Sequence, residues 1–197
     1  EFSGYDNQGN PTNDFTGKES AFSIGYSSKI NYLPIYVGLN LRLITSSLEQ
    51  YNSIGISTDI GVLYINSEMN LNIAMVIRNF GTQIKAYNDI YETLPFEIDI
   101  GVSQLLENAP IRWYLTFENV QKWNIALSNP SRLTTDLDGN ITEEKITFFN
   151  NIFRHLLIGA ELFPESIFNI RLGYNFKRGE ELKIIDQSNF SGLSFGF

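Results

Sequence analysis

The feature of this chain that most restricts its fold is an alternation of apolar and polar residues with a period of two. In the segment 34–44, every odd-numbered residue from Ile35 to Leu43 is apolar, and Asn40 and Arg42 lie between them. This alternation is typical of β-strands with one apolar and one polar face. A helical period is found only over the short stretch 146–153. We therefore predict an all-β protein with nine strands, at about 20–30, 34–44, 54–65, 70–80, 95–105, 110–120, 153–163, 167–177 and 190–197.

The connections between the predicted strands alternate in length. The short ones lie at 31–33, 66–69, 106–109 and 164–166, and the long ones at 45–53, 81–94, 121–152 and 178–189. Tight turns at one end and long loops at the other are typical of outer-membrane barrels. A tilted transmembrane strand needs about 9–11 residues, whereas soluble strands usually have about 5–6. The sequence thus predicts a transmembrane antiparallel up-and-down β-barrel.

The polar faces of the predicted strands carry charges of both signs. Charges that line an enclosed lumen can pair, whereas a charge that faces lipid at mid-bilayer costs about 2–4 kcal/mol. A soluble barrel or sandwich with its apolar face inward is the alternative. The abundance of Gly, Ser, Asn and Thr on the polar faces favours the membrane form. The candidate lumen residues are Asp59, Arg78, Glu97, Asp99, Arg112, Glu118, Glu161 and Arg171.

Composition excludes several classes of function. The 197 residues include 14 Lys and Arg, 22 Asp and Glu, and no Cys. The net charge of -8 argues against nucleic-acid binding, and the lack of Cys excludes disulfides, Cys-zinc sites and a Cys nucleophile. The single histidine, His155, excludes a His-rich metal site and is expected to begin a strand as a packed residue. The sequence contains no phosphate-binding Gly-rich loop, HExxH or Gly-x-Ser-x-Gly motif, so we expect neither an enzyme nor a cofactor.

Two acidic groups could in principle carry chemistry. Glu97 and Asp99 lie two residues apart on one strand face, as an acid–base pair would. Charge balance by Arg78 or Arg112 is the simpler interpretation. The segment 136–140, Asp-Leu-Asp-Gly-Asn, offers oxygens of the kind that calcium accepts. Its glycine occupies the fourth position, not the sixth as in an EF-hand loop, so a turn with Asp-Gly at its tip is the simpler explanation.

The longest predicted loop, 121–152, is where we expect binding residues, because function concentrates on loops held by a rigid scaffold. It carries large apolar residues that a fully solvated loop would not need, which suggests a surface-exposed docking site. The alternative is a loop that folds over the mouth of its own barrel. The candidate partner-binding residues are Trp123, Leu127, Leu133, Phe148 and Phe149.

The odd strand count bears on the domain organisation. Bacterial single-chain barrels have an even number of strands. The alternation is already running at residue 20, and the ninth strand would begin another hairpin. We therefore expect residues 1–197 to be a single β-barrel domain that is an internal or truncated portion of a longer barrel. In the alternative, Leu193, Phe195 and Phe197 form the Phe-ending last strand of the barrel, and Phe197 is the true terminus.

Several segments resemble a known family. The segment 77–81 is Ile-Arg-Asn-Phe-Gly, and 94–102 is Leu-Pro-Phe-Glu-Ile-Asp-Ile-Gly-Val. Both are similar to the PorV/PorQ branch of the FadL-like outer-membrane barrels. The segments 153–161 and 171–183 most resemble PorQ members of that branch. The resemblance extends over roughly residues 20–197.

The resemblance implies a 14-stranded barrel in the bacterial outer membrane, with an amino-terminal hatch that has no counterpart here. PorQ-like members are non-enzymatic subunits of the type IX secretion system. They hold a PorZ-like surface partner, with other attachment-complex subunits, where secreted proteins are joined to lipopolysaccharide. The resemblance assigns no functional residue by position. The alternative function is that of a FadL-like transporter of small hydrophobic compounds, although a polar lumen counts against a wide apolar passage.

Overall fold

The computed structural model describes residues 3–4, 8–11, 16–49, 51–87, 90–127, 133–135, 141–142, 146–183 and 190–197. Its main sheet contains nine strands in the spatial order β1 (Gly17–Lys29), β2 (Ile35–Leu48), β3 (Tyr51–Asn66), β4 (Leu71–Lys85), β5 (Glu97–Leu105), β6 (Ile111–Phe117), β9 (Leu156–Leu162), β10 (Ile170–Asn175) and β11 (Leu193–Gly196). The short strands β7 (Thr134–Thr135) and β8 (Ile141–Thr142) belong to the connection that joins β6 to β9 in the chain. They pair with each other in a separate two-stranded sheet. The prediction of an all-β, antiparallel, up-and-down arrangement of nine strands is confirmed.

One of the predicted long connections is wrong. The segment 45–53 was expected to be a loop, but β2 ends at Leu48 and β3 begins at Tyr51. The strand continues because Ser46 and Ser47 still pair with residues of β1. Backbone pairing does not require apolar side chains, so β2 extends beyond the segment in which apolar and polar residues alternate.

Other strand ends also differ from the prediction. Strand β6 ends at Phe117, so Glu118 lies at the start of the following connection and not within a strand. The predicted strand 153–163 begins only at Leu156, because a helix precedes it. His155 therefore does not begin the strand; it is the carboxyl-terminal cap of that helix.

Two short helices account for these shifts. Helix α1 (Phe148–Arg154) begins after Thr147, whose side chain accepts a hydrogen bond from the Asn150 backbone. Helix α2 (Phe176–Glu181) begins after Asn175, whose side chain accepts from the Arg178 backbone. Thr and Asn are good amino-terminal caps because they satisfy backbone N–H groups that the first helical turn leaves free. The predicted strand 167–177 is accordingly shortened to β10.

The chain forms two compact units, each with most of its contacts within itself. The first comprises Glu1–Val62 and Val76–Glu97, and the second comprises Leu63–Met75 and Ile98–Phe197. The first unit contains β1, β2 and most of β3 and β4, whereas the second contains the remaining strands and both helices. Among the described residues, no helix is long and apolar enough to cross a membrane.

Burial in the structure is inverted relative to a water-soluble protein. The only buried hydrophobic residues in the described part of the chain are Ala86 and Ile125. Buried polar residues are more numerous there, namely Ser53, Ser57, Asp99, Asn151, Arg154, His155 and Glu161. The apolar row of β2, in contrast, is exposed from Val37 to Leu43. Apolar residues ordinarily dominate the fully buried class, and charged ones are rarely found in it.

Candidate functional site

In the first unit, the polar face of the sheet is organised around Asp59. Its Oδ2 atom accepts hydrogen bonds from Asn40 Nδ2 at 3.1 Å and from Arg42 Nη2 at 2.9 Å. Its Oδ1 atom accepts from the backbone N–H of Asn79 at 3.0 Å. Asn79 also accepts from Arg42 Nη1 at 3.3 Å and donates to the carbonyl oxygen of Pro95 at 2.9 Å. The network joins β2, β3 and β4 to Pro95, which lies just before β5 in the chain.

The predicted charge balance of Glu97 is present in the same unit. Arg78 Nη1 lies 3.8 Å from Glu97 Oε2, and both side chains are substantially exposed to solvent. Exposed pairs of this kind contribute little to stability, about 0–1 kcal/mol. The pair therefore orders the polar face more than it stabilises the protein, and it supports the structural interpretation of Glu97 over a catalytic one.

In the second unit, Asp99 has a similar role to Asp59. It is buried, and its Oδ1 atom accepts from the backbone N–H of Asn119 at 3.0 Å. The following residues fasten the start of the long connection to β5, since Val120 donates to the Ile98 carbonyl at 2.8 Å. Gln121 Oε1 accepts from the Ile98 N–H at 2.7 Å. Asp99 thus fixes the point where the chain leaves β6.

A second charged group in this unit is centred on Glu161. The strand register places Glu161 directly between Arg112 of β6 and Arg171 of β10. Glu161 is buried, accepts a hydrogen bond from Arg171 Nε at 3.0 Å, and is also bonded by the Tyr114 hydroxyl. The alternation in the sequence places Tyr114 on the same face as Arg112, although only the three charged residues are among the predicted lumen candidates.

The sequence contains a further signal for these networks. Asp59 and Asp99 begin identical Asp-Ile-Gly-Val segments, and the asparagine that each one holds follows 20 residues later. Asn79 and Asn119 both have a positive φ, near 55°. Asparagine tolerates this left-handed conformation better than most residues. Comparison of the hairpins with one another would therefore have revealed a repeated Asp–Asn pairing.

The long connection 118–155 is closed at its base by its two end residues. The backbone N–H of Glu118 donates to the His155 carbonyl at 2.8 Å. The His155 ring lies between Phe117 and Trp123, with centroid separations of 4.9 and 5.8 Å. Its Nδ1 atom is 2.6 Å from the Glu118 carbonyl oxygen, and its Nε2 atom is 3.0 Å from that of Trp123. His155 is therefore a packed residue that closes a loop.

Helix α1 also bonds to the outgoing part of this connection. Asn151 Nδ2 donates to the Trp123 carbonyl, and Arg154 Nη1 donates to the Leu127 carbonyl at 2.8 Å. Arg154 Nη1 is also 3.7 Å from a carboxylate oxygen of Glu181 in α2. The helix thus turns its polar side chains inward, towards backbone oxygens.

The five residues predicted to bind a partner are all exposed: Trp123, Leu127, Leu133, Phe148 and Phe149. Three of them are brought together, because the Phe148 ring lies 5.2 Å from that of Trp123 and 5.7 Å from that of Phe149. We call these three residues the aromatic platform. Leu127 supplies a carbonyl oxygen to Arg154 and keeps its side chain in solvent.

The other charged candidates have structural partners. Glu118 Oε2 accepts a hydrogen bond from Asn175 Nδ2 at 3.2 Å, which links the start of the long connection to the cap of α2. The possible calcium segment 136–140 lies outside the described residues. Within the described residues, no group of three or more His, Cys, Asp and Glu side chains could hold a metal ion.

No protein-family model, curated protein or solved structure matches this chain. The resemblance to the PorV/PorQ branch rests only on the segments 77–81, 94–102, 153–161 and 171–183. Two features of the structure bear on function, namely the exposed apolar faces of the strands and the aromatic platform on the long connection.

Proposed function

We propose that this protein is an outer-membrane β-barrel that serves as an anchor and scaffold subunit of a type IX secretion system. In this role it holds a PorZ-like surface partner for the attachment of secreted proteins. The observation that carries the proposal is the inverted burial, with apolar strand faces exposed and charged groups buried in paired networks. The secretion-system assignment rests in addition on the sequence resemblance.

The apolar face of the first hairpin illustrates the argument for lipid. The strand register pairs Phe22 with Leu43, Ile24 with Leu41 and Tyr26 with Leu39. All six side chains are exposed. Soluble monomers rarely expose a contiguous apolar patch larger than a few hundred Å², because contact with water costs roughly 25 cal/mol per Å². Hydrocarbon around this face would remove that cost, whereas water would not.

The polar face supports the same orientation. A buried charge is costly unless it is paired and hydrogen-bonded. The buried Glu161 carboxylate is paired with Arg171, and the half-buried Asp59 carboxylate is paired with Arg42. A sheet in lipid must also pair every backbone N–H and C=O group, so it has to close on itself. The proposal therefore includes further strands at the outer edges of β1 and β11, as an even-numbered barrel requires.

The long connection supports the scaffold role. Its base is fixed by Asp99 and His155, and the aromatic platform faces solvent. Exposed aromatic residues on a fixed support are typical of the energetic centre of protein interfaces. The proposal assigns the platform to contact with the surface partner.

The membrane assignment is tested by fractionation of cells that express the intact protein. We expect recovery in the outer membrane after washing with alkali, and a folded form that migrates faster than the heated form on SDS gels. Recovery in the soluble fraction without detergent would reject the proposal at its first step.

The partner assignment is tested by cross-linking in cells, followed by mass spectrometry. We expect the combined substitutions Trp123→Ser, Phe148→Ser and Phe149→Ser to abolish cross-links to a surface subunit of the secretion system. A matched control is Ile167→Ser, which removes a fully exposed apolar residue from the short β9–β10 turn. Equal loss of cross-links in the control, or no loss in the triple variant, would contradict the role of the platform.

A further inference from the structure

Helix α1 exposes its apolar face and buries its polar face, which is the opposite of a helix that packs on a soluble protein. Phe148, Phe149 and Phe153 are exposed, whereas Asn151 and Arg154 are buried. The hydrophobic effect alone would turn the phenylalanines inward. A helix of seven residues is also too short to be stable by itself. Its orientation must come from specific polar bonds.

Most of those bonds run to one stretch of backbone, although Arg154 also contacts Asn150 and Glu181. Asn151, Arg154 and His155 together reach the carbonyl oxygens of Glu118, Trp123 and Leu127. Residues 118–127 lie outside the main sheet, so strand pairing does not satisfy these carbonyl groups. The buried side chains of Asn151, Arg154 and His155 need hydrogen-bond partners, and the carbonyl groups of this stretch are available because they do not pair in a strand. Each set satisfies the other.

We infer that Asn151, Arg154 and His155, which we call the loop clasp, are positioning residues that hold the aromatic platform outward. The clasp fixes the outgoing arm of the connection against α1, the returning arm. Trp123 lies at the meeting point, because its carbonyl accepts from the clasp while its ring stacks on Phe148. The role in partner contact rests on the proposed function, but the clasp itself can be measured without a partner.

Two variants of His155 separate hydrogen bonding from packing. His155→Phe keeps a ring between Phe117 and Trp123 but removes both nitrogen atoms. His155→Gln restores an N–H donor near the position of Nε2. The matched control is Phe153→Ser, which changes an exposed residue of the same helix whose ring contacts Phe176 and no residue of the clasp.

The readout is cleavage by trypsin after Lys122, which lies within the outgoing arm. Arg132→Gln and Lys145→Gln are added to every protein, so that Lys122 is the trypsin site that precedes α1 in this connection. Cleavage of a briefly opened segment follows the population of the open form. Loss of one ordinary hydrogen bond, the one that the single N–H of an imidazole ring donates, raises that population about fivefold. We expect that increase for His155→Phe, a smaller one for His155→Gln, and none for Phe153→Ser.

Trypsin cleavage and partner cross-linking, measured on the same variants, test the loop clasp and the partner contact separately. Unchanged cleavage of His155→Phe overturns the clasp, as does an equal increase in Phe153→Ser. Faster cleavage together with lost partner cross-links supports both proposals. Faster cleavage with unchanged cross-links supports the clasp and contradicts the platform as the partner contact. If His155→Phe does not show the heat-modifiable folded form, Asn151→Leu, which removes one bond of the clasp, provides the same comparison.

Discussion

A charge placed at different depths on one strand face tests the orientation of the whole sheet. Leu41 lies at the middle of β2, and Val37 lies near its start on the same exposed apolar face. We predict that Leu41→Arg destabilises the intact protein in lipid much more than Val37→Arg does. Arginine in water would be tolerated at both positions, because surface substitutions usually change stability by no more than about 0.5 kcal/mol.

The expected difference follows from the strand geometry. Four residues at about 3.3 Å each separate the two positions by about 13 Å along the strand. A strand tilt of about 40° reduces this to about 10 Å of depth. The apolar band of an outer-membrane barrel is about 25 Å tall, so in the proposed orientation Leu41 would lie near the midplane and Val37 near the edge. Arginine costs about 2–4 kcal/mol at the midplane and about 0–1 near the interface.

The assay is equilibrium unfolding in guanidinium chloride, with the protein in lipid vesicles and tryptophan fluorescence as the signal. Trp113 and Trp123 both lie far from β2 in the sequence, so they report on global unfolding. We expect Leu41→Arg to lower the free energy of unfolding by about 2–3 kcal/mol more than Val37→Arg. Equal effects at the two positions would refute the assignment of this face to lipid.

Two further predictions concern the polar face. Gly81→Ala would place a Cβ atom in steric overlap with the Ile56 carbonyl oxygen, so we expect a loss of about 1–3 kcal/mol in the free energy of unfolding. Gly61→Ala has open space around its Cβ atom and is the matched control, with an effect near zero by the same measurement. Glu161→Leu removes the carboxylate that Arg171 and Tyr114 contact. We expect a loss of about 1–3 kcal/mol, with a smaller loss for Glu161→Gln, because the Tyr114 hydroxyl loses its acceptor while Arg171 is largely exposed. If the Leu variant unfolds like the native protein, these contacts do not stabilise the sheet.

Much of the sheet was predictable because one physical rule, the alternation of side chains along a strand, repeats through the sequence. It located all nine strands of the main sheet. It failed where backbone structure does not depend on apolar residues, as at Ser46 and Ser47, where polar residues continue β2. It also placed the start of a strand at 153, whereas the helical period at 146–153 marks α1, a helix of about two turns that begins after Thr147.

The sequence identified most residues of the candidate site, but not which of them contact one another. Alternation placed Arg112 and Arg171 on the polar face, but their shared contact with Glu161 depends on the register between strands. Register is set by pairing across the sheet, which a single strand does not encode. The clasp was missed for a different reason. Its acceptors are backbone carbonyls, and these carry no sequence signal.

In both the sheet and the long connection, polar hydrogen bonds order the structure while apolar side chains remain exposed. On the strands, Asp59 and Glu161 use hydrogen bonds to order the polar face while leucine and isoleucine are exposed on the other face. On α1, the clasp does the same for a seven-residue helix and leaves phenylalanine outside. In both places polar bonding supplies the specificity that apolar packing supplies in a soluble core. Such a protein would keep its shape while its apolar surfaces remain available, to lipid along the strands and to a partner at the aromatic platform.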